Sequence, residues 1–403
     1  MWFVGGLARC NKARMTTAST DRRHLVSTAL AGALAMAAAM GFGRFSFTPI
    51  LPGMIADLGL SSTEAGVIAA ANFAGYLSGA VAGAYGWAAG RERLIGLSAL
   101  LATAVLLAGM GVTQSVAAFV VLRFLAGVAS AFSMIFITSI VLGHAARAGS
   151  EVVQSAHFSG VGLGIAASSL MVMLVGLSGF GWRADWLVGA AIAFGIFVVV
   201  ARLLPRSPFH AATVPREPPI VWSPAVVLTT LSYGLFGFGY VVTATFIVTM
   251  ARMGNAGPTV EFLTWLVTGL AAAASLFAWR PVMLRIGLGG AYLAGLLIEA
   301  IGVLASVALP SPAAPLVGGA LLGATFMIIT AYGLRLGRAL SPESQRRALA
   351  FMTAAFGIGQ ILGPLVAGWL AERTGSFSAP SLVAALVLLA SAGLILPVLR
   401  RLP

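Results

Sequence analysis

Residues 41–44 read Gly-Phe-Gly-Arg, and residues 237–240, which lie 196 positions later, read Gly-Phe-Gly-Tyr. At the same offset Met54 corresponds to Met250, so the similarity extends along a segment and not only a tetrapeptide. A sequence that repeats at this distance predicts two structurally related halves. Because the arginine of the first copy is a tyrosine in the second, we expect pseudo-symmetric halves that enclose an asymmetric site.

The composition predicts a membrane protein. The chain of 403 residues is 59% hydrophobic and only 9% charged, and its mean hydropathy is +0.99. A soluble protein carries about 25% charged residues. The formal charge of +13 would suggest nucleic acid as a partner of a soluble protein. Here the basic residues lie in short loops between apolar segments, where they act as topology signals.

Several classes of function are excluded by residue usage. Cys10 is the only cysteine, so the chain can form neither an internal disulfide nor a cysteine metal cluster. Lys12, the only lysine, precedes Ala13 and not the serine or threonine of a phosphate-binding loop. No nucleophile, base and orienting acid gather at one membrane face, so we expect no enzyme and no cofactor.

Twelve segments reach the roughly 20 residues that a helix needs to cross a bilayer. A proline-rich stretch between the sixth and seventh segments predicts an irregular connector, because proline cannot continue a helix. The predicted spans are 25–52, 63–86, 94–112, 116–142, 157–178, 183–204, 223–250, 259–279, 287–309, 314–337, 349–371 and 380–399. The predicted organisation is a disordered cytoplasmic tail (1–23), an N-terminal six-helix half (24–204), a cytoplasmic linker (205–222) and a C-terminal six-helix half (223–403).

The 24 lysine and arginine residues predict the orientation. With the N-terminus in the cytoplasm, 19 fall in cytoplasmic segments and helix ends, and only Arg183, Arg252 and Arg373 fall in outer loops. The positive-inside rule therefore places both termini in the cytoplasm, in a bacterial inner membrane. An interfacial aromatic belt is predicted from tryptophans near helix ends, namely Trp87, Trp182, Trp186, Trp222, Trp279 and Trp369.

Four motifs carry a family resemblance. Residues 123–127 read RFLAG, residues 357–364 read GIGQILGP, residues 41–52 read GFGRFSFTPILP and residues 70–77 read AANFAGYL. The chain resembles the major facilitator superfamily over roughly residues 25–400, and the last two motifs are similar to its YbfB/YjiJ-type branch. The resemblance implies an all-α integral membrane protein with twelve transmembrane helices in two pseudo-symmetric halves. One departure is the loop at 83–93, GAYGWAAGRER, which lacks the aspartate that relatives carry there.

Candidate substrate-binding residues follow from this resemblance, which implies that helices 1, 4, 7 and 10 line a central cavity. Arg44 and Arg123 lie inside helices 1 and 4 at a similar depth, where a charge costs roughly 2.5–3.5 kcal/mol on insertion scales. Both are candidates to bind an anion; the alternatives are arginines bound to backbone carbonyls or reaching the headgroups. The other candidates, each of which could instead be a packing contact, are Tyr240, Asn72, Tyr76, Tyr332 and Gln360.

Two residues are candidates for proton coupling. Glu299 is the only carboxylate at mid-depth, and His157 lies near the inner end of helix 5. Glu299 could instead be neutral in lipid or paired structurally. Small residues on one helix face permit close backbone contact. Such faces could form a seam that moves between the halves, or they could be ordinary tight packing. The candidates are Gly75, Gly79, Gly83, Gly359 and Gly363.

The sequence therefore predicts a monomeric secondary transporter that moves a small organic solute by alternating access. Two buried positive charges without an acid favour an anionic or carboxylate-bearing solute, because like charges are costly to bury unless an anion neutralises them. The expected partners are this solute, lipid and protons, without nucleic acid. Two alternatives stay open: a proton-driven exporter of drug-like molecules, and a membrane receptor that kept the transporter fold but lost transport.

Overall fold

The computed structural model describes residues 24–85, 87–206 and 217–400. This part of the chain is helical and contains twelve helices that are long and apolar enough to cross a membrane. They are α1 His24–Leu58, α2 Ser62–Gly83, α3 Glu92–Val112, α4 Val116–Arg147, α5 Glu151–Leu177, α6 Trp182–Leu203, α7 Pro224–Met253, α8 Pro258–Ala278, α9 Arg280–Ala308, α10 Ala313–Leu340, α11 Gln345–Thr374 and α12 Ser378–Leu399. The predicted tail (1–23) and residues 207–216 of the predicted linker lie outside the described residues.

The predicted number of helices is confirmed, but several boundaries differ from the sequence prediction, among them those at 143–156 and 280–286. The predicted loop at 143–156 is only a short turn, because α4 continues to Arg147 and α5 begins at Glu151. Ser150 makes this early start favourable, since its hydroxyl accepts a hydrogen bond from the Val153 amide at 3.4 Å. In α9, Gly287 has φ 75° and ψ 170° and breaks the helix, so residues 280–286 form a separate helical turn before the membrane span.

The helix contacts repeat between the two halves, α1–α6 and α7–α12. The pairs α2–α4, α3–α4 and α1–α5 of the first half have counterparts six helices later in α8–α10, α9–α10 and α7–α11. Across the halves, α2 packs against α11 and α5 against α8, and these two contacts are also exchanged by the same shift. The fold is thus the predicted twelve-helix arrangement with two pseudo-symmetric halves.

One hydrogen bond locates the pseudo-symmetry axis. The Thr48 hydroxyl of α1 donates to the Ala244 carbonyl of α7 at 2.7 Å, and these two residues are separated by the 196 positions of the sequence repeat. A residue can contact its own counterpart only close to the axis that relates them.

The two sides of the helix bundle need names. Because twelve crossings bring the chain back to the side on which it started, we call that side the terminal side and the opposite side the distal side. The contact of Thr48 with Ala244 lies in the distal halves of α1 and α7.

The five glycines predicted at helix interfaces do lie there, but within each half. A Cβ at Gly75 would overlap the Phe124 carbonyl of α4, and Gly79 faces the Val128 backbone of the same helix. Gly83 faces the Ile135 side chain, also on α4. In the second half, Gly359 and Gly363 face α7. The interpretation of these faces as a moving seam between the halves is therefore wrong, and ordinary tight packing explains them.

Other glycines form the contact between the halves. Gly66 of α2 faces Pro364 and Gly368 of α11. On the opposite flank, Gly162 of α5 and Gly269 of α8 face one another's backbones. These positions allow the close approach of helices that small residues make possible.

The predicted tryptophan belt is correct only in part. Trp182 and Trp186 are 3% and 0% exposed, because the distal end of α6 packs against other helices of its half. Their rings contact Phe119 at 6.0 Å and Phe47 at 6.5 Å between centroids. The exposed tryptophans that fit an interfacial belt are Trp87, Trp222 and Trp369.

The end of the connector is bound to the start of α11. The Glu217 carboxylate accepts hydrogen bonds from the amides of Arg346 at 3.1 Å and Arg347 at 3.2 Å, and from Arg346 Nε at 3.0 Å. A carboxylate is favourable here because helix N-termini carry unpaired amides and a partial positive charge. Desolvation raises the pKa of Glu217, but these hydrogen bonds outweigh it and leave the pKa below the ordinary value.

Candidate functional site

The first part of the candidate site is an irregular segment of α1. Residues Ala37–Phe45 form a π-helix in which every residue is buried. Gly41 is required within it, because a Cβ there would overlap the Gly164 backbone of α5. π-Helical turns inside α-helices occur frequently at functional sites. Arg44 stands near the end of this segment and four residues before Thr48 on the pseudo-symmetry axis.

Arg123 of α4 holds this segment by its backbone. Its Nη1 donates to the Gly43 carbonyl at 3.0 Å and its Nη2 to the Arg44 carbonyl at 2.9 Å. The guanidinium also lies 4.9 Å from the ring centroid of Phe47. Of the alternatives open from the sequence, the structure favours an arginine bound to backbone carbonyls, so Arg123 is a positioning residue.

Asn72 and Tyr76 complete the contact between α2 and the arginines. Asn72 Nδ2 donates to the Arg123 carbonyl at 3.0 Å, which joins α2 to α4. The Tyr76 ring, also on α2, packs against the Arg44 guanidinium. Asn72 is thus a packing contact, whereas Tyr76 forms part of the surroundings of Arg44.

Arg44 differs from Arg123 in its hydrogen bonding, because Arg123 leaves only Nε without a partner among the described residues, whereas Arg44 leaves two nitrogens. Its Cζ lies 4.4 Å from the ring centroid of Tyr76, 4.5 Å from that of Phe73 and 5.6 Å from that of Phe45. The side chain is buried, and its Nε and Nη2 have no hydrogen-bond partner among the described residues. Aromatic rings attract a cation, but they accept no strong hydrogen bonds. Two buried donors of Arg44 are therefore available to a ligand.

Tyr240, the counterpart of Arg44, lies in a stack of rings in the second half. Its ring is almost parallel to those of Phe326 and Phe356, at 5.9 and 5.8 Å between centroids. Gln360 Nε2 donates a hydrogen bond to the Tyr240 hydroxyl. Phe45 and Phe326 join the two halves at 6.0 Å. We call the rings around the two counterparts the aromatic cluster; its members are Phe45, Phe73, Tyr76, Tyr240, Phe326 and Phe356.

Three other predicted residues lie elsewhere. Tyr332 is buried on α10, two turns along the helix from Phe326, and has no ring contact or hydrogen bond with the aromatic cluster in the described part of the chain. Glu299 is fully buried between α9 and α10 and accepts a hydrogen bond from the Thr325 hydroxyl. His157 is buried in the first half, where its Nε2 is hydrogen-bonded to the Thr138 hydroxyl at 2.8 Å. The two coupling candidates are thus in different halves.

Comparison with known proteins decides the family. Residues 36–396 match the family described as uncharacterised MFS-type transporter YbfB, where MFS denotes the major facilitator superfamily. The chain belongs to this family. No curated protein sequence matches it significantly. The resemblance found in the motifs is confirmed, and the protein is a multi-pass membrane transporter and not an enzyme.

Solved structures agree on the fold. A point mutant of the nucleoside transporter NupG aligns with a TM-score of 0.73 and 14% identity, over 92% of this chain and 99% of that one. A bacterial homologue of the human lysosomal transporter Spinster, in an inward-facing and unoccupied conformation, aligns with a TM-score of 0.72 and 13% identity. That alignment covers 94% of this chain and 97% of the homologue. At these identities the likeness concerns the fold alone.

Most of the aromatic cluster was not predicted from the sequence. Phe45 and Phe73 both lie within the motifs quoted above, directly beside Arg44 and Asn72, so their proximity to the candidates was a usable signal. Phe326 and Phe356 carry no such signal, because phenylalanine is common in apolar helices and only the packing of α10 and α11 against α7 brings them to Tyr240.

Proposed function

We propose that this transporter is a secondary transporter that moves a small organic anion, with a carboxylate favoured, by alternating access. The observation that supports it most is the Arg44 guanidinium, which is 4% exposed and keeps two donors without acceptors among the described residues. A carboxylate binds a guanidinium through two parallel hydrogen bonds, which pair both charges at once.

The second arginine supports the proposal in a different way from the one predicted. Arg123 has its two terminal nitrogens on the carbonyls of Gly43 and Arg44, so it fixes the backbone that carries Arg44. Its positive charge adds to that of Arg44, and no carboxylate forms a salt bridge with either arginine in the described residues. Two buried like charges favour an anion nearby.

The aromatic cluster supports a solute with a flat or apolar body. Tyr76 and Phe73 face Arg44 at 4.4 and 4.5 Å, and the Tyr240 stack continues from there into the second half. Gln360 donates from Nε2 to the Tyr240 hydroxyl, and its side-chain oxygen Oε1 is a buried acceptor without a partner among the described residues. The proposed solute would therefore place its carboxylate at Arg44 and its body against the rings.

The orientation belongs to the same proposal. With the terminal side in the cytoplasm of a bacterial inner membrane, most arginines lie inside, as the positive-inside rule requires. The test uses a variant without Cys10 in intact cells. A cysteine replacing Glu343, in the turn between α10 and α11, should resist an impermeant thiol reagent added outside. A cysteine replacing Asn255, in the distal turn between α7 and α8, should react. Labelling of the first and protection of the second would reverse the orientation.

Proton coupling is proposed for Glu299 or His157. Both are fully buried, and Glu299 Oε1 keeps no hydrogen-bond partner in the described part of the chain. A side chain that can gain or lose a proton and has a free position is able to change its charge state between conformations. The monomer is proposed as the transporting unit.

Two other functions make different predictions. A proton-driven exporter of drug-like molecules is supported by the same apolar rings, and it would accept neutral or cationic solutes as readily as anions. A receptor with the transporter fold would bind a solute without moving it.

Transport by the purified protein in proteoliposomes tests the proposal. A thermal-shift screen of small carboxylates first finds a ligand, since binding to the folded state raises stability. We expect labelled ligand to exchange across the membrane in vesicles with protein, and the matched neutral amide to compete at least tenfold more weakly. Binding without exchange would support the receptor, and equal competition by the amide would support the exporter of drug-like molecules.

A further inference from the structure

A polar cavity lies on the distal side, between the two halves. It has a volume of about 420 Å³ and is formed by α1, α5 and α6 of the first half and by α7 and α8 of the second. Its size is within the range of small-molecule sites. Arg44 and the aromatic cluster do not contribute to its walls.

The charges of this cavity are unequal. Three carboxylates, those of Asp57, Asp185 and Glu261, face a single basic side chain, that of Arg252. Arg252 is already committed, because its Nε lies 3.0 Å from both oxygens of Glu261. These two charges form a salt bridge, whereas the carboxylates of Asp57 and Asp185 form none among the described residues.

Asp185 is the unusual member. It is 6% exposed, lines the cavity, and its Oδ1 has no hydrogen-bond partner among the described residues. A buried carboxylate atom of this kind costs free energy unless a donor or a cation reaches it.

The remaining walls define the chemistry of the missing partner. The aromatic residue Phe262 lines the same cavity, and aromatic rings attract organic cations. The described residues contain no group of three or more His, Cys, Asp or Glu side chains arranged to hold a metal ion. Asp57, at the mouth, is exposed, so the cavity can be reached from the distal side.

We propose that this distal cavity, with Asp185 as its anionic anchor, binds a small organic ammonium ion. The site is separate from the one proposed around Arg44 and opens to the opposite side from the termini. Because its walls come from both halves, a bound cation favours the conformation in which the halves are joined on the distal side. The cation is therefore expected to oppose opening of that side as well as to bind.

Benzylammonium chloride is a suitable probe, and benzyl alcohol is its neutral match in shape. In titration calorimetry of the purified protein at constant ionic strength, benzylammonium should bind and benzyl alcohol should bind at least tenfold more weakly. Asp185→Asn keeps the shape but removes the charge, and it should weaken benzylammonium binding at least tenfold. Glu343→Gln, which removes an exposed carboxylate in the turn between α10 and α11, outside the cavity, should leave the affinity unchanged.

A second variant covers the case in which Asp185→Asn does not fold. Val172→Trp adds volume to the cavity wall without changing charge, and it should abolish benzylammonium binding. Absence of benzylammonium binding to the wild-type protein would overturn the proposal. So would an affinity that survives both Asp185→Asn and Val172→Trp, because binding would then lie elsewhere.

Discussion

Replacement of Arg123 by alanine tests the role that the structure gives to this residue. The side chain makes two hydrogen bonds to the backbone of α1, to the Gly43 carbonyl at 3.0 Å and to the Arg44 carbonyl at 2.9 Å. Hydrogen bonds to a charged group contribute about 1.5–3 kcal/mol each, so Arg123→Ala should lower the free energy of unfolding by roughly 3–6 kcal/mol. Arg123→Lys should lose about half as much, because lysine keeps the charge but not the two-pronged geometry.

The assay is unfolding of the purified protein in mixed micelles, followed by the loss of helical circular dichroism with increasing SDS. Arg202→Ala is the control, because Arg202 is an exposed arginine at the end of α6 and its loss should change the free energy little. The affinity for the carboxylate ligand should fall together with stability in Arg123→Ala, since the backbone under Arg44 is no longer held. An Arg123→Ala protein as stable as Arg202→Ala would refute the positioning role.

Three further predictions concern packing, the connector and coupling. Gly75→Ala should destabilise the protein by about 1–3 kcal/mol in the same assay, because its Cβ would meet the α4 backbone, whereas Gly176→Ala, which has open space, should be neutral or slightly stabilising. Ionised Glu217 should stabilise the protein at neutral pH, and this stabilisation should be lost as the pH falls from 4.5, the ordinary glutamate pKa, through the lower pKa of the folded protein. In thermal unfolding, the difference in melting temperature between the wild-type protein and Glu217→Gln should therefore disappear in acid. Glu299→Gln combined with His157→Gln should abolish uphill transport but preserve exchange in proteoliposomes, and unchanged uphill transport would place coupling elsewhere.

The number of helices and the repeat were predictable because they depend on local properties. Apolar length determines which segments span a bilayer, and the offset between Gly41 and Gly237 needs only the sequence. Helix ends were less predictable. The capping hydroxyl of Ser150 and the backbone break at Gly287 shift boundaries by several residues without changing hydropathy.

The proximity of the two arginines was predictable from the sequence, but their roles and most of the rings around them were not. Depth within the helices brought Arg44 and Arg123 together correctly, since each residue of a helix advances by 1.5 Å. Which guanidinium meets backbone carbonyls depends on the π-helical segment of α1, and no residue pattern indicated that segment. The different hydrogen bonding of the two arginines is therefore visible only in the structure.

The glycine faces show the same limit. Spacing shows that Gly75 and Gly79 share a helix face and permit close contact, but it does not show which neighbour meets that face. The rotation of α2 about its axis is determined by packing of the whole half, and it turns these glycines towards α4 and Gly66 towards α11. The distal cavity escaped the sequence analysis for a related reason, because Asp185 and Arg252 come from different halves.

The central claim is that Arg44 binds the carboxylate of the transported solute, and one comparison of affinities tests it most directly. Titration calorimetry would compare the best carboxylate ligand with its neutral amide, in the wild-type protein and in Arg44→Gln. A bidentate pair contributes about 1.5–3 kcal/mol, so the wild-type protein should prefer the carboxylate roughly tenfold to a hundredfold, and Arg44→Gln should lose that preference while it still binds the amide. The same preference for the carboxylate in both proteins would contradict the claim.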